Sequence, residues 1–284
     1  MAILLDAEAR VLVQGITGEQ GSYHTRLMLD YGTRIVGGVT PLKGGEWAEG
    51  KPVFDTVHAA RQATEADCSV VFVPGGQAAS AILEAIDAGI SLIVCITEGI
   101  PLHDMLRVRA ALRNSPARLI GPNSPGIITP GQANLGIIPA DIAHPGHVGI
   151  VSRSGSLSYE VIHALSAKGI GQSTCVGIGA DPIIGSTYVD ILRLFEEDPQ
   201  TRQIVLIGEI GGQEEQRAAA FIRDHLTKPV VAYIAGEAAP RGVIMGHAGA
   251  LVEHPHDEAA QKREKLASVG VRVASHPEEI ARML

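Results

Sequence analysis

Short, continuous Val/Ile-rich runs alternate with amphipathic stretches along the 284 residues, and this restricts the chain to one class of fold. Strands are expected at 11–14 (VLVQ), 34–39 (RIVGGV), 69–74 (SVVFVP), 91–97 (SLIVCIT) and 118–121 (RLIG). Helical spacing fills 77–88 and 101–114, with Pro101 suited to a first helical position. Strands that are apolar throughout are covered on both faces. Spaced by helices, they read as βαβ units on a parallel sheet, and right-handed crossovers then give a doubly wound layer structure. The pattern breaks over 121–147 (GPNSPGIITPGQANLGIIPADIAHPGH), where Pro, Gly and Asn crowd together. It restarts with strands at 148–152, 172–178, 203–208, 229–234 and 271–273, and helices near 156–168, 187–197, 213–226, 257–268 and 277–283. The expected organisation is α/β throughout: one domain over 1–122, a loop-rich junction over 123–147, and a second domain over 148–284.

Composition removes several function classes. Aromatic residues are only 4% of the chain, with one Trp, which disfavours base stacking. Lys+Arg 23 against Asp+Glu 31 gives a net charge of -8, and no basic stripe is present, so nucleic acid is not an expected partner. No uncharged apolar run reaches the ~18 residues of a membrane span. Asp6 and Glu8 interrupt the amino-terminal stretch, which reads against a signal peptide. Cys68, Cys95 and Cys175 are scattered, so neither a disulfide framework nor a metal site is expected. The expected location is the bacterial cytoplasm or an organelle matrix. What stands out is 33 glycines with no low-complexity tract, since glycine permits close backbone approach.

Several glycines fall at strand ends. Strand 11–14 runs into Gln14-Gly15-Ile16-Thr17-Gly18-Glu19-Gln20-Gly21, where a strand should turn into a helix. A helix start presents free N–H groups and a positive dipole end, so this is a place for a phosphate. The spacing is GxxGxxG, not GxGxxG, and a tight turn without ligand is the bland alternative. Strand 34–39 leads into Thr40-Pro41-Leu42-Lys43 and not into the acidic residue that would bind a ribose, which turns the reading from NAD toward another adenosine phosphate such as coenzyme A. In the second half, Ser152-Arg153-Ser154-Gly155-Ser156 follows an apolar strand and offers hydroxyls and amides at a helix start, either as an oxyanion or phosphate site or as an ordinary cap.

Most of the eleven His residues, such as His24, His58, His103 and His225, are expected to face solvent. His247 differs, because Gly242, Gly246 and Gly249 frame it in RGVIMGHAGA. A histidine on such a backbone, near phosphate-binding helix starts, can act as a nucleophile toward phosphorus, or it can be a loop histidine with no role. Glu209, in Gly208-Glu209-Ile210-Gly211-Gly212 at a strand's carboxyl end, could hold one imidazole nitrogen and leave the other unprotonated, or it could be one more surface residue at a strand end.

Taken in order, QGITGEQG, VGGVTPLKGG, ITEGIP, GPNSPGIITPG, GIVSRSGSLSYE, QSTCVGIGADP, IGEIGG and MGHAGA resemble the alpha subunit of succinate–CoA ligases over nearly the whole chain. The resemblance implies an N-terminal Rossmann-like CoA-binding domain and a flavodoxin-like ligase domain. It implies that His247 is the phosphorylated residue and Glu209 its partner, and that Ser154, Gly155 and Ser156 hold the phosphate. It places CoA on Thr17, Gly18, Glu19, Gln20, Lys43, Ile96, Thr97 and Glu98, and assigns Tyr159, Asn123 and Ser124 to a small dicarboxylate substrate. It implies a beta subunit of ATP-grasp fold, in an αβ or (αβ)2 assembly, that carries ATP or GTP with Mg2+. Malate–CoA ligase alpha subunits share nearly all these motifs, and a non-catalytic CoA-binding module and a NAD-dependent oxidoreductase are the other readings. The chain departs from the pattern at Ser124 (for a cysteine), Ala180 (for a glycine), Ile184 (for a proline) and Glu253-His254-Pro255-His256.

Overall fold

A computed structural model describes residues 2–284. The first half runs β1 (Val11–Gln14), α1 (Glu19–Tyr31), β2 (Ile35–Val39), β3 (Trp47–Ala48), β4 (Lys51–Phe54), α2 (Val57–Thr64), β5 (Cys68–Val71), α3 (Gly75–Asp87), β6 (Leu92–Cys95), α4 (Leu102–Arg113) and β7 (Arg118–Ile120). The second half runs β8 (Gly126–Thr129), β9 (Ala133–Gly136), β10 (Pro145–Ser152), α5 (Gly155–Ser166), β11 (Gln172–Gly177), α6 (Tyr188–Glu197), β12 (Gln203–Glu209), α7 (Glu214–His225), β13 (Val230–Ala235), α8 (Ala259–Ala267), β14 (Arg272–Ala274) and α9 (Ile280–Met283). The order β3-β4-β2-β1-β5-β6-β7 forms one sheet and β14-β13-β12-β10-β11-β8-β9 the other.

The Val/Ile runs form the centres of both sheets because they are buried from both sides: β1, β5 and β6 are buried at every position. In the first sheet β1 pairs in parallel with β2 on one side and β5 on the other, and β5 continues to β6. In the second, β10 pairs in parallel with β11 and with β12. Each sheet therefore reverses its winding at a central strand, and the crevice outside the carboxyl ends there is where α/β sheets bind ligands.

Three features differ from the sequence-based expectation. The 123–147 stretch is not only a loop-rich junction. It contains the hairpin β8–β9, whose Ile127 and Ile128 pair antiparallel with Val176 and Cys175 of β11, so much of it belongs to the second sheet. The same hairpin joins the halves: Thr33 Oγ1 donates to Asn134 O at 2.8 Å, Thr129 Oγ1 to Leu5 O at 2.7 Å, and Gly131 N to the Tyr31 hydroxyl at 2.8 Å. An edge unit, β3, β4 and α2, fills the gap between the second and third expected strands. His24 is half-buried instead of fully solvent-facing. Its ring stacks on Phe72, with centroids 5.5 Å apart, and burial holds its pKa below the ordinary value. No described helix is long and apolar enough to cross a membrane.

Candidate active site

Glu209 is the last residue of β12, so its backbone is fixed by pairing with Ala235 of β13, and its side chain is buried at the sheet's carboxyl end. His247 lies on the loop between β13 and α8. That loop folds back on itself, with Gly242 N donating to Val252 O, Met245 N to Ala250 O, and Ala250 N to His247 O, each at 2.9 Å. Gly242 and Gly246 take left-handed conformations, φ 74 and 78, that cost other residues strain. The histidine frame is thus a tight turn. Its underside is docked: Gly249 N donates to Ala180 O at 3.1 Å, and a Cβ on Gly211 would overlap the Gly249 carbonyl oxygen.

The turn delivers His247 Nδ1 to Glu209 Oε2 at 2.8 Å. The carboxylate accepts the Nδ1 proton, which fixes the tautomer and leaves Nε2 with its lone pair free. This bond is the main cause of a His247 pKa above the ordinary value. Burial opposes it, Glu209 and Glu98 add negative potential, and the Arg153 charge subtracts from it. The histidine side chain is 31% exposed against 6% for the glutamate, so the ring can be reached while its partner cannot.

Beneath the pair lies a buried charge cluster that the sequence did not signal. Lys262 of α8 is fully buried, and its ammonium donates to Glu209 O at 2.8 Å, to Gly211 O at 2.6 Å and to the carboxylate of Glu215. Glu215 Oε1 accepts from Glu209 N at 3.3 Å. Arg153 donates through its NH1 to Gly211 O at 3.1 Å, and its Nε stands 3.5 Å from Glu209 Oε1. The balance of two carboxylates and two cations makes burial of all four tolerable. In the sequence, Lys262 sits in QKREK, which reads as a solvated helix face, and Glu215 as one more acid of a first helical turn. Only the fold brings them together.

Ser154 caps α5, accepting from Leu157 N at 3.4 Å, and its Oγ lies 3.4 Å from that of Ser156. Ser154, Ser156 and Leu157 share with Glu209, Met245, His247 and Ala250 the wall of a cavity of about 480 Å3. The positive end of α5 and the free face of the imidazole therefore open into one space, as an anion between them would require.

The other expected residues divide. Asn123 is drawn in: its N donates to Thr97 O at 2.9 Å and its Nδ2 to Asp181 Oδ1 at 3.0 Å. Asp181 is held above the ordinary carboxylate pKa by burial, with the Asn123 bond and the His247 charge opposing and Glu98 reinforcing. Thr97 and Glu98 of the first half thus approach His247 of the second. Ser124 is buried with its hydroxyl spent on backbone, donating to Gly177 O and accepting from Gly126 N at 2.9 Å. Tyr159 points elsewhere. Its hydroxyl meets Ile137 O at 3.4 Å, and burial pushes its pKa up to about 12.

Thr17, Gly18, Glu19 and Gln20 lie at the β1–α1 turn, Lys43 beyond β2, and Ile96, Thr97 and Glu98 beyond β6, all past carboxyl ends of one sheet. Gly15 takes φ 85, and a Cβ on Gly21 or Gly38 would overlap the Gly15 carbonyl or the Ile16 side chain. These glycines let the turn lie flat on the sheet. Gly18 provides no side-chain cap, so the first amides of α1 have no capping side-chain acceptor, as binding a phosphate there would need. Thr17 Oγ1 donates to Thr40 Oγ1 at 3.2 Å, and the turn carrying Lys43 begins there. Among the described residues, no group of three or more His, Cys, Asp or Glu could hold a metal ion.

Residues 6–99 match the CoA binding domain family and residues 151–272 the CoA-ligase family. Over all 284 residues the chain is 54% identical to succinate–CoA ligase [ADP-forming] subunit alpha 2 of Archaeoglobus fulgidus, covering 99% of that protein. It is 50% identical to the corresponding alpha subunit of Staphylococcus aureus, covering 94% of it. Among solved structures, ATP citrate lyase from Methanothrix soehngenii in complex with citrate and coenzyme A superposes with a TM-score of 0.91 at 28% identity, over 99% of this chain and 50% of that one. An acetyl-coenzyme A synthetase of Ca. Korarchaeum cryptofilum shares the fold, with a TM-score of 0.76 at 22% identity.

Proposed function

The chain belongs to the succinate–CoA ligase alpha-subunit family, and on that premise we propose that it carries the phosphoryl group of an acid–CoA ligase on His247 Nε2. The observation that carries this reading is the 2.8 Å contact between His247 Nδ1 and Glu209, which in the neutral ring puts the lone pair on Nε2, in a residue that lines the cavity shared with the start of α5.

A carboxylic acid is a poor acyl donor and must first be activated. The γ-phosphoryl group passes from the nucleotide to Nε2, breaking the bond to the nucleoside diphosphate, and Glu209 holds the phosphorylated ring through Nδ1–H when the loop is docked. The acid's carboxylate oxygen then takes the phosphoryl group, which restores the neutral imidazole and yields an acyl phosphate. The thiol sulfur of CoA attacks that carbonyl, inorganic phosphate leaves, and the thiol proton is lost to solvent. The α5 amides with the Ser154 and Ser156 hydroxyls offset phosphoryl charge with dipoles already in place. In this reading CoA is a substrate held by the β1–α1 turn (Thr17, Gly18, Glu19, Gln20), Lys43 and Ile96–Glu98, which brings its reactive end toward Asn123 and His247. Succinate is the acid named for the relatives, and their ADP-forming names favour ATP. The nucleotide and Mg2+ are assigned to a beta partner of ATP-grasp type. Val243, Ile244 and Met245, exposed beside His247, are the surface such a partner would cover.

The test is incubation of the chain, purified with its partner, with γ-labelled ATP. Acid-labile, base-stable label on the wild type and none on His247→Ala is expected; equal labelling of both would remove His247 from the mechanism. Turnover with succinate, malate and related acids then ranks the substrates.

A further inference from the structure

Glu209 cannot follow His247. The glutamate is built into β12, whereas the histidine rides a loop exposed from Arg241 to Gly246. The proposed function, on which this inference rests, requires that loop to reach a nucleotide on another subunit. Its departure would leave Oε2 of a buried carboxylate without a partner, and Oε1 already has none. The side chain is only 6% exposed with the loop docked, so the replacement nearest to hand is a group already beside it in the protein.

We propose that Arg153 is a positioning residue that takes over the Glu209 carboxylate when His247 leaves it. Arg153 is buried, and its Nε also lacks a hydrogen-bond partner while standing 3.5 Å from Glu209 Oε1. A closure of about half an ångström brings the two into hydrogen-bond range. The other cation nearby is not free to serve, since all three Lys262 donors are committed to Glu209 O, Gly211 O and Glu215. The loop itself lies on the guanidinium: a Cβ on Gly249 would come within 2.5 Å of Arg153 NH2. With the loop docked, the guanidinium is pinned beneath Gly249. With the loop away, it has room to close on the carboxylate.

The groups facing Arg153 are Glu209, Glu214, Glu215 and Tyr188, and those facing His247 are Glu209, Glu98, Asp181 and Arg153. The Arg153 charge lowers the His247 pKa, so its removal has a readout separate from folding.

The experiment uses the chain with its partner subunit and compares wild type, Arg153→Met and Arg153→Lys. Two half-reactions are timed: labelling by γ-labelled ATP, which needs the loop to travel, and discharge of already labelled protein by succinate and CoA, which occurs with the loop docked. In Arg153→Met, labelling is expected to slow roughly tenfold or more, as when a buried charge loses its only partner, with discharge changed far less. The pH at which labelling is half-maximal should move up. Arg153→Lys keeps the charge but not the fork, so it should retain the wild-type midpoint and show an intermediate rate. Equal slowing of both half-reactions in Arg153→Lys, or an unmoved midpoint in Arg153→Met, would overturn the assignment. A wild type that takes no label on His247 would instead overturn the proposed function.

Discussion

Glu209 and His247, 38 residues apart in sequence, meet at 2.8 Å through Oε2 and Nδ1, with the carboxylate built into a strand and the imidazole on a tight loop. This asymmetry sets the chemistry. The fixed partner decides which nitrogen is free, and the exposed partner can carry what that nitrogen accepts. The bond also sets the pH range of the nucleophile.

The His247 pKa stands above its ordinary value of 6.5, with the Glu209 bond as the main cause. The sign follows directly. The ion pair contributes stability that is fully present below 6.5 and is lost as pH rises through the raised value, and the neutral nucleophile appears over that same rise. Labelling by ATP should therefore climb with pH around a midpoint above 6.5. Glu209→Gln removes the raising charge while burial and Arg153 still lower the pKa, so its midpoint should fall below that of the wild type. A stopped-time labelling series across pH measures both. A midpoint in Glu209→Gln at or above the wild-type value would contradict the role given to the carboxylate.

The fold's centre was legible because β1, β5, β6, β10 and β12 are buried on both faces, so their hydrophobic patterns are continuous. What escaped lacks that mark. β8 and β9 are four-residue strands closed by Pro130, Gly131 and Gln132, which read as loop, and only pairing with β11 makes them sheet. β3 and β4 form an edge, with Trp47 72% exposed and Pro52 inside a strand. The candidate site divided the same way. His247, Glu209 and the α5 start announced themselves through glycine framing at strand ends, a local signal. Arg153, Glu215 and Lys262 come from three separate elements, and no local pattern marks their convergence. Tyr159 was assigned to the substrate by resemblance, but its place on α5 turns it away from the cavity.

Gly211 tests how the loop is held. Its φ is 86, and a Cβ there would overlap the Gly249 carbonyl oxygen, so Gly211→Ala both strains the backbone and lifts the loop. A cost of about 1–3 kcal/mol is expected, concentrated in the loop rather than the sheets. Hydrogen exchange should rise over residues 242–252 and stay near wild type in β10 and β12. Uniform loss of protection would show that the loop and the sheets unfold as one unit.

Ser154 and Ser156 flank Gly155 but should respond differently. Ser154 is buried and caps α5, so Ser154→Ala should lose about 0.5–2 kcal/mol of stability in addition to any effect on the phosphoryl group. Ser156 is exposed and holds no cap, so Ser156→Ala should leave the melting temperature within about a degree, given the small effect of most surface substitutions. If its hydroxyl faces the phosphoryl group, the label on His247 should be lost to water several-fold faster in Ser156→Ala. Unchanged lifetimes in both variants would move the phosphate away from the α5 start.

Ser124 stands where the resemblance drawn from the sequence expects a cysteine, next to Asn123, which invites a role in choosing the acid. Its geometry argues for a different one. The side chain is 4% exposed, its hydroxyl donates to the carbonyl that ends β11, and it accepts from Gly126 N at the start of β8. It therefore locks the hairpin to the strand leading into the Ala180–Asp181 turn, on which the histidine loop docks. Ser124→Ala leaves a buried carbonyl and a buried amide short of a partner, at a cost of about 1–3 kcal/mol. Ser124→Cys fills the space with a weaker donor and should lose less. Denaturant midpoints should follow that order, while relative turnover of succinate and malate stays as in the wild type. A reversal of acid preference in Ser124→Cys at unchanged stability would show that this position reads the substrate.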